Sequence, residues 1–402
     1  MNWVRSLTAG VAALTVAMTA ALAQPGGDFQ AWLEGFRAEA AAAGINANVL
    51  DQAFADISIN ERVYELNENQ PEFSRAIWDY LDSAVSDTRI ENGRANFAQN
   101  RALLEQIETD YGVDAEILVA IWGLESSYGA IMGNHDVIAA LATLAYQGRR
   151  TGYGRDQLIG ALRIIQNGYA ERDQLVGSWA GAMGQTQFIP TTYLAYAIDH
   201  DGDGKRDIWS NLGDVFASTA NYLSASRFSH DEPWGMEVRL PSNFDYALAD
   251  SKIKKSAVEW TAHGLSAMHG GGLLEGLDPN IRGRLIVPAG AKGPAFLVFG
   301  NFEAILKYNR STAYALAVSL LSERAGGSNR GVIATWPRDD RPLALSERKN
   351  LQQALKNAGF DPGPIDGIIG AGTKSALRQW QSANGLPADG YASARILERL
   401  QR

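Results

Sequence analysis

Apolar residues along this chain recur mostly at helical spacing. Phe29, Trp32, Leu33 and Phe36 follow the i, i+3, i+4, i+7 stripe of an amphipathic helix, with Gly44 as its C-terminal stop. Asn92–Asp110 predicts one long helix, and Asp114 is a suitable N-cap for the next, which must end near Ser127. Helical patterning returns at Val137–Ala145, Asp156–Gln166, Gly213–Ser224 and Phe302–Arg324. Between Trp234 and Gly300 the pattern changes. Gly and Pro become frequent, and Met236, Val238 and Leu240 alternate with polar residues. Arg284–Val287 and Phe296–Phe299 are short apolar runs bounded by Gly and Pro. These predict strands, hence a small β-containing insertion in a helical domain. Arg324–Pro342 has the composition of a linker. Beyond it, Leu351 and Leu355, then Leu377 and Trp380, then Ile396, Leu397 and Leu400 mark three short helices of a separate module. The expected fold class is mainly α (α+β). The expected division is an export signal over 1–23, a main domain over 24–326, a linker over 327–342 and a C-terminal module over 343–402.

Composition narrows the classes of function. With 402 residues, 46% of them apolar, the chain is long enough for two or three packed domains. Its net charge of −9 argues against nucleic acid as a partner and leaves a glycan open. Arg5, the apolar run Leu7–Ala20 and the small-x-small site Ala21-Leu22-Ala23 before Gln24 read as a cleavable export signal. That run is too short and alanine-rich for a membrane anchor, and no later segment is long and apolar enough to span a bilayer. There is no cysteine, which excludes disulfides, a thiol nucleophile, thiolate metal sites and a lipid-modified cysteine after the signal. The expected location is a bacterial periplasm.

Glu125 is the residue with the clearest chemical meaning. Trp122 lies three positions before it and Leu118 seven, so all three share one stripe of a helix. A carboxyl on an apolar stripe is desolvated, and one at a helix C-terminus faces the negative end of the dipole. Both raise its pKa. A glutamate kept protonated near neutral pH is suited to act as a general acid on a glycosidic bond. The same residue type also occurs on the wet side of a helix end or paired with an arginine.

Two more stretches carry chemistry. Ser178–Pro190 (SWAGAMGQTQFIP) is dense in Gly and Ala, which lets backbone approach a ligand or a neighbouring helix. Gln187 can both donate and accept hydrogen bonds, as sugar substituents require. Asp199–Asp207 (DHDGDGKRD) places carboxylates at positions 1, 3, 5 and 9 and Gly at 6, the ligand order of an EF-hand calcium loop. Asp199, Asp201, Asp203 and Asp207 would supply side chains and Lys205 its carbonyl. Position 12 is Ser210, so Asp214 is the nearest carboxylate able to close the shell. Such an ion would be structural, and no organic cofactor is expected.

Taken in this order, Ala120–Gly129, Ser178–Pro190 and the acidic loop resemble the lytic murein transglycosylase B family, across residues 29–324. The resemblance implies a lysozyme-like helical catalytic core with Glu125 as the sole catalytic acid and base. It places Ser178 and Gln187 beside that carboxyl. Lys307–Tyr314 (KYNRSTAY) resembles the family's Tyr-Asn-x-Ser-x-x-Tyr segment, which would turn Asn309 and Tyr314 toward the sugar. The chain departs from the family's founding lipoproteins in lacking their cysteine, and Thr151–Arg155 (TGYGR) is unusually glycine-rich. Leu351-Gln352, Leu355, Asp366-Gly367, Thr373, Trp380-Gln381 and Gly385-Leu386 resemble a peptidoglycan-binding module.

The resemblance implies non-hydrolytic cleavage between N-acetylmuramic acid and N-acetylglucosamine, leaving a 1,6-anhydro end on peptidoglycan strands. Two alternatives stand beside it. One is a hydrolytic muramidase with a second carboxylate, Asp136 or Asp156; the other is a non-catalytic wall-binding protein. Other cell-wall enzymes are possible partners. The sequence does not fix the oligomeric state.

Overall fold

A computed structural model describes residues 28–68 and 75–402. The export signal expected at 1–23 lies outside the described residues. The first helices are α1 (Phe29–Ala42), α2 (Ala47–Ala53), α3 (Glu61–Glu68), α4 (Ile77–Ala84), α5 (Asp87–Gln99), α6 (Arg101–Tyr111) and α7 (Ala115–Ser126). After the short strand β1 (His135–Asp136) come α8 (Val137–Tyr146) and α9 (Thr151–Gln166). Strand β2 (Val176–Gly177), α10 (Pro190–Tyr196) and α11 (Leu212–Ala225) follow. Among the described residues no helix is long and apolar enough to cross a membrane.

Two findings depart from the pattern of the sequence. The single helix expected over Asn92–Asp110 breaks at Asn100, which ends α5 and begins α6. Its side-chain amide donates to the Asn96 carbonyl, holding the bend. The two halves have different work, since α5 packs on α7 and α6 on both α7 and α11. Second, α9 starts at Thr151, so the glycine-rich TGYGR segment is helix. Gly154 permits this: a Cβ there would lie 2.3 Å from the Ala145 backbone nitrogen. The glycine sets the close approach of α8 and α9.

The insertion is antiparallel throughout. It comprises β3 (Gly235–Arg239), β4 (Lys255–Ser256), α12 (Ala257–Ala262), β5 (Ser266–Ala267), β6 (Arg282–Ile286) and β7 (Ala295–Val298), with strand order β4-β6-β7-β3-β5. Met236 pairs with Leu297 and Leu285 with Leu297, so β7 is central. Its four residues are all buried, as a strand covered on both faces must be. Then α13 (Gly300–Tyr308) and α14 (Thr312–Ala325) return the chain to the helical core, where α14 packs on α7, α4, α5 and α13.

The C-terminal module is three helices, α15 (Leu345–Asn357), α16 (Ala371–Ala383) and α17 (Ala394–Leu400), around Leu351, Leu355, Leu377, Trp380 and Leu397. The segment read as linker is fastened at several points. Glu237 accepts from the Ile333 and Ala334 amides at 2.7 and 2.8 Å. Arg338 grips Asp82 through both terminal nitrogens at 2.7 and 2.9 Å. Arg378 of α16 pairs with Asp250 at 3.1 Å, and Asp389 accepts from the Ala291 amide at 2.7 Å. The module is therefore docked on the insertion.

Candidate active site

Helix α7 is apolar nearly all round, and Ile117 to Gly123 are all buried. It runs through the centre of the main core, so its end is positioned from every side. At that end the chain takes a tight left-handed turn. Ser127 and Tyr128 have φ of 50° and 61°, a conformation costly for side-chain-bearing residues. The Tyr128 ring offsets that cost. It meets Trp122 edge-on at 5.4 Å, and its hydroxyl donates to the Arg89 carbonyl at 2.7 Å. Gly123 and Gly93 make room for it, since a Cβ on Gly123 would lie 2.6 Å from the ring. Ser126 Oγ accepts from the Gly129 amide at 3.0 Å and completes the turn.

Glu125 sits on the last turn of α7, half-buried, with protein packed around its carboxyl. Burial pushes its pKa from 4.5 to about 7, and a hydrogen bond from Tyr314 pulls the other way. The Tyr314 hydroxyl donates to Glu125 Oε1 at 2.6 Å. Burial wins because one neutral donor cannot replace the water a carboxylate loses. With Oε1 accepting, the proton of the neutral acid belongs on Oε2. Tyr314 is itself positioned by the turn before α14, where Asn309 Oδ1 accepts from the Ser311 amide and Ser311 Oγ from the Tyr314 amide. Asn309 is exposed at that turn.

The Gly-Ala-Met-Gly loop is locked to the same place. Gln185 is buried; it accepts from the Trp122 indole at 2.7 Å and donates to the Trp209 carbonyl at 2.8 Å. Gln187 adopts φ 51°, and its amide donates to the Gly184 and Met132 carbonyls at 2.9 and 3.1 Å. Its nitrogen is thus spent on the loop, leaving its oxygen for other partners. Ser178 Oγ accepts from the Ala182 amide at 3.0 Å and shapes the turn that carries it. Both residues remain half-buried.

Three further residues belong to this neighbourhood; Tyr308 and Gln185 lie within the motifs without being singled out, and Tyr80 lies outside them. Tyr308 stacks on Tyr314 at 6.5 Å and donates to the Thr186 carbonyl at 2.6 Å, joining the loop to α14. Tyr80 of α4 lies near enough for the Glu125 charge to raise its pKa, after the larger effect of burial. Gln185 is the third. Tyr80 has no local sequence signal, and the roles of Gln185 and Tyr308 show only in contacts made across the fold.

Of the two other carboxylates considered, Asp136 caps α8 by accepting from the Ala139 amide and pairs with Arg172 at 2.6 Å. Asp156 is exposed on α9. Neither contributes to the environment of Glu125, which is set by burial and Tyr314.

In the acidic loop, carboxylate oxygens of Asp199, Asp201 and Asp203 come within 4.8 Å of one another. Asp199 accepts from the amides of Gly202, Asp203 and Gly204, which wraps the loop around it. Asp207 and Asp214 stand outside that group. Asp207 accepts from the Trp209 and Ser210 amides. Asp214 is buried and bridges the loop ends, accepting from His200 at 2.8 Å and Asp207 at 2.6 Å. Burial raises its pKa, backbone amides oppose this, and the charges of Asp201 and Asp199 add to it.

The chain is similar to known proteins along most of its length. The Transglycosylase SLT domain matches residues 28–323, and a peptidoglycan binding domain matches 345–400. Membrane-bound lytic murein transglycosylase B of Escherichia coli is 31% identical over 251 residues, which is 61% of this chain and 66% of that protein. The crystal structure of SltB3 from Pseudomonas aeruginosa in complex with NAG-anhNAM-pentapeptide superposes with a TM-score of 0.91 at 50% identity. That match covers 94% of this chain and all of that one. The Escherichia coli lytic transglycosylase Slt35 in complex with calcium gives a TM-score of 0.61 at 28% identity, covering 74% of this chain and 92% of that one. With a family match over most of its length and its glutamate at the end of a buried helix, this chain belongs to the SLT-domain lytic transglycosylases.

Proposed function

We infer that this protein is a lytic transglycosylase acting on peptidoglycan, with Glu125 as both acid and base. The observation that carries this reading is one half-buried carboxyl with its pKa near 7 and Tyr314 as its hydrogen-bond donor. Glu125 Oε2 protonates the oxygen joining N-acetylmuramic acid to N-acetylglucosamine, and the bond from C1 to that oxygen breaks. The sugar's own acetamido group stabilises the positive charge at C1. The C6 hydroxyl of the same ring then attacks C1 and returns its proton to Glu125. A 1,6-anhydro ring forms and no water is consumed. Two carboxylates flank the bond in ordinary glycosidases. Here the nucleophile is intramolecular and already positioned, so a second carboxylate is unnecessary. The capping and pairing of Asp136 and the exposure of Asp156 support this over hydrolysis. Ser178, Gln187 and Asn309 are proposed to contact the sugars, with Tyr314 orienting the acid.

The three gathered carboxylates fit a hard divalent cation, since all are oxygen donors and they accept backbone amides and the Asn211 side chain in place of a cation. Asp199, Asp201 and Asp203 would hold calcium, with the Lys205 carbonyl near and Asp207 and Asp214 bracing the loop. Its contribution is to fix backbone beside the catalytic loop, where Gln185 donates to the Trp209 carbonyl. The export signal supports a periplasmic location, and the C-terminal module supports retention on the wall.

Mass analysis of fragments released from purified peptidoglycan tests the reaction. Muramic ends one water lighter than the hydrolysed sugar are expected. Ends that all keep the free reducing form would overturn it.

A further inference from the structure

The proposed reaction assigns no part to Gln185, a side chain only 7% exposed with both ends of its carboxamide paired. Its oxygen accepts from the Trp122 indole at 2.7 Å, and its nitrogen donates to the Trp209 carbonyl at 2.8 Å. Its backbone amide donates to the Ile208 carbonyl at 2.8 Å, so the residue holds segment 208–209 at two points. That segment is itself pinned. Ile208 is fully buried, and the Trp209 amide donates to Asp207 at 2.9 Å.

The Trp122 end of this bridge reaches the acid. Trp122 lies three residues before Glu125 on α7. Its carbonyl accepts from Ser126 Oγ at 3.2 Å and from the amides of Ser127 and Tyr128, which closes the chain around Glu125. Gln185 also touches the turn that follows. Gly129 has φ 83°, and a Cβ there would lie 2.4 Å from the Gln185 side-chain oxygen. An apolar side chain could fill the same space. A carboxamide paired at both ends also fixes distance and direction between the two segments it joins.

We propose that Gln185 is a positioning residue for Glu125, clamping the tip of α7 to segment 208–209 so that water stays away from the carboxyl. Its effect on rate rests on the transglycosylase reading; the enclosure of the carboxyl can be measured without turnover. The titratable groups near that carboxyl are Tyr314 on α14, Tyr308 on α13 and Tyr80 on α4, and the charges of Arg75 and Arg89 reach Tyr80. Burial raises the pKa of all three tyrosines from 10, so none ionises near pH 7 and a shift in that range reports Glu125 itself.

Gln185→Leu removes both arms of the clamp. On peptidoglycan its kcat should fall on the order of 10- to 100-fold with KM within about twofold, the cost of a displaced but intact acid. The alkaline limb of kcat should move to lower pH as water reaches Glu125. The carboxyl carbon-13 signal of Glu125, identified as the one lost in Glu125→Gln, should titrate at lower pH than in the wild type. Gln185→Asn keeps the carboxamide but is one methylene shorter, so it should shift the midpoint the same way by less; it carries the test if Gln185→Leu does not fold. Trp122→Phe should lower the midpoint less in the Gln185→Leu background than alone, because the two residues form one bridge. A midpoint equal to the wild type in folded variants overturns the proposal, as does independence of the two substitutions. A rise in KM with kcat unchanged also overturns it, since Gln185 would then be a substrate contact. A lowered midpoint in a protein that releases no anhydro ends supports the clamp and sinks only the reaction.

Discussion

Glu125 and the loop Asp199–Asp203 use the same functional group for opposite ends. Glu125 is one carboxyl among tyrosines and apolar residues, with its pKa near 7 and a single donor. The loop gathers three carboxylates within 4.8 Å at the surface, where Asp199 alone accepts three backbone amides. Amide donors and open solvent stabilise negative charge; burial without cations disfavours it. Environment therefore suits one carboxyl to the proposed role of proton carrier and the three others to the proposed cation cradle. The comparison also explains why a proton-carrying glutamate would need a rigid helix end. A mobile side chain would reach water and lose its raised pKa.

The largest effect should come from removing the proton carrier. Glu125→Gln keeps the shape and the Tyr314 contact but cannot donate and retake a proton. Clearing of purified peptidoglycan should slow on the order of 10²–10⁴-fold. A variant clearing at the wild-type rate would end the comparison, because Glu125 would then be merely buried. On the loop side, chelation should lower the melting temperature by several degrees, since a ligand at 100 times its Kd contributes about 2.7 kcal/mol. Asp201→Asn should abolish that response. A melting curve indifferent to calcium in the wild type would leave the loop an acidic turn.

The rigidity of the α7 tip can be tested by itself. Gly123→Ala gains helix propensity of up to about 1 kcal/mol yet places a methyl 2.6 Å from the Tyr128 ring. We expect a net loss of about 1–3 kcal/mol in urea unfolding, with a matching loss of activity as the turn shifts. Stabilisation without loss of activity would show that the ring moves freely.

Much of this was legible in the sequence, for identifiable reasons. Glu125, Trp122 and Leu118 shared a stripe because helical period alone decides it. The three C-terminal helices and the strands around Val238, Leu285 and Leu297 followed from spacing and Gly/Pro punctuation. The break at Asn100 was not legible, because it serves two packing partners rather than local propensity. Gly154 stood out only as part of a glycine-rich segment, and it serves a close contact between helices. Tyr80 was invisible, and Gln185 and Tyr308 lay within motifs without a legible role, for the same reason: each is defined by a residue far away in the chain. The segment 327–342 had a linker's composition, yet Arg338 and the amides of Ile333 and Ala334 tie it down.

The finest distinction between the two carboxylate environments lies in their response to pH. In the proposed reaction Glu125 starts protonated, so activity should fall as pH rises through about 7. The Tyr314 donor favours the charged form and lowers that value, while burial raises it more. Tyr314→Phe removes the donor, so the alkaline limb should move to higher pH even as misorientation of the acid lowers the maximum rate. Stability shows the same sign. Between the ordinary glutamate value of 4.5 and about 7 the folded protein holds a proton that the unfolded chain has released. Rising pH therefore removes stability across that window, and Glu125→Gln should gain on the wild type by about 1–3 kcal/mol above it. Thermal unfolding of both proteins at pH 5 and pH 8 measures this difference. A constant gap between the two curves would mean that Glu125 titrates like an exposed carboxyl, and the contrast with the loop would vanish.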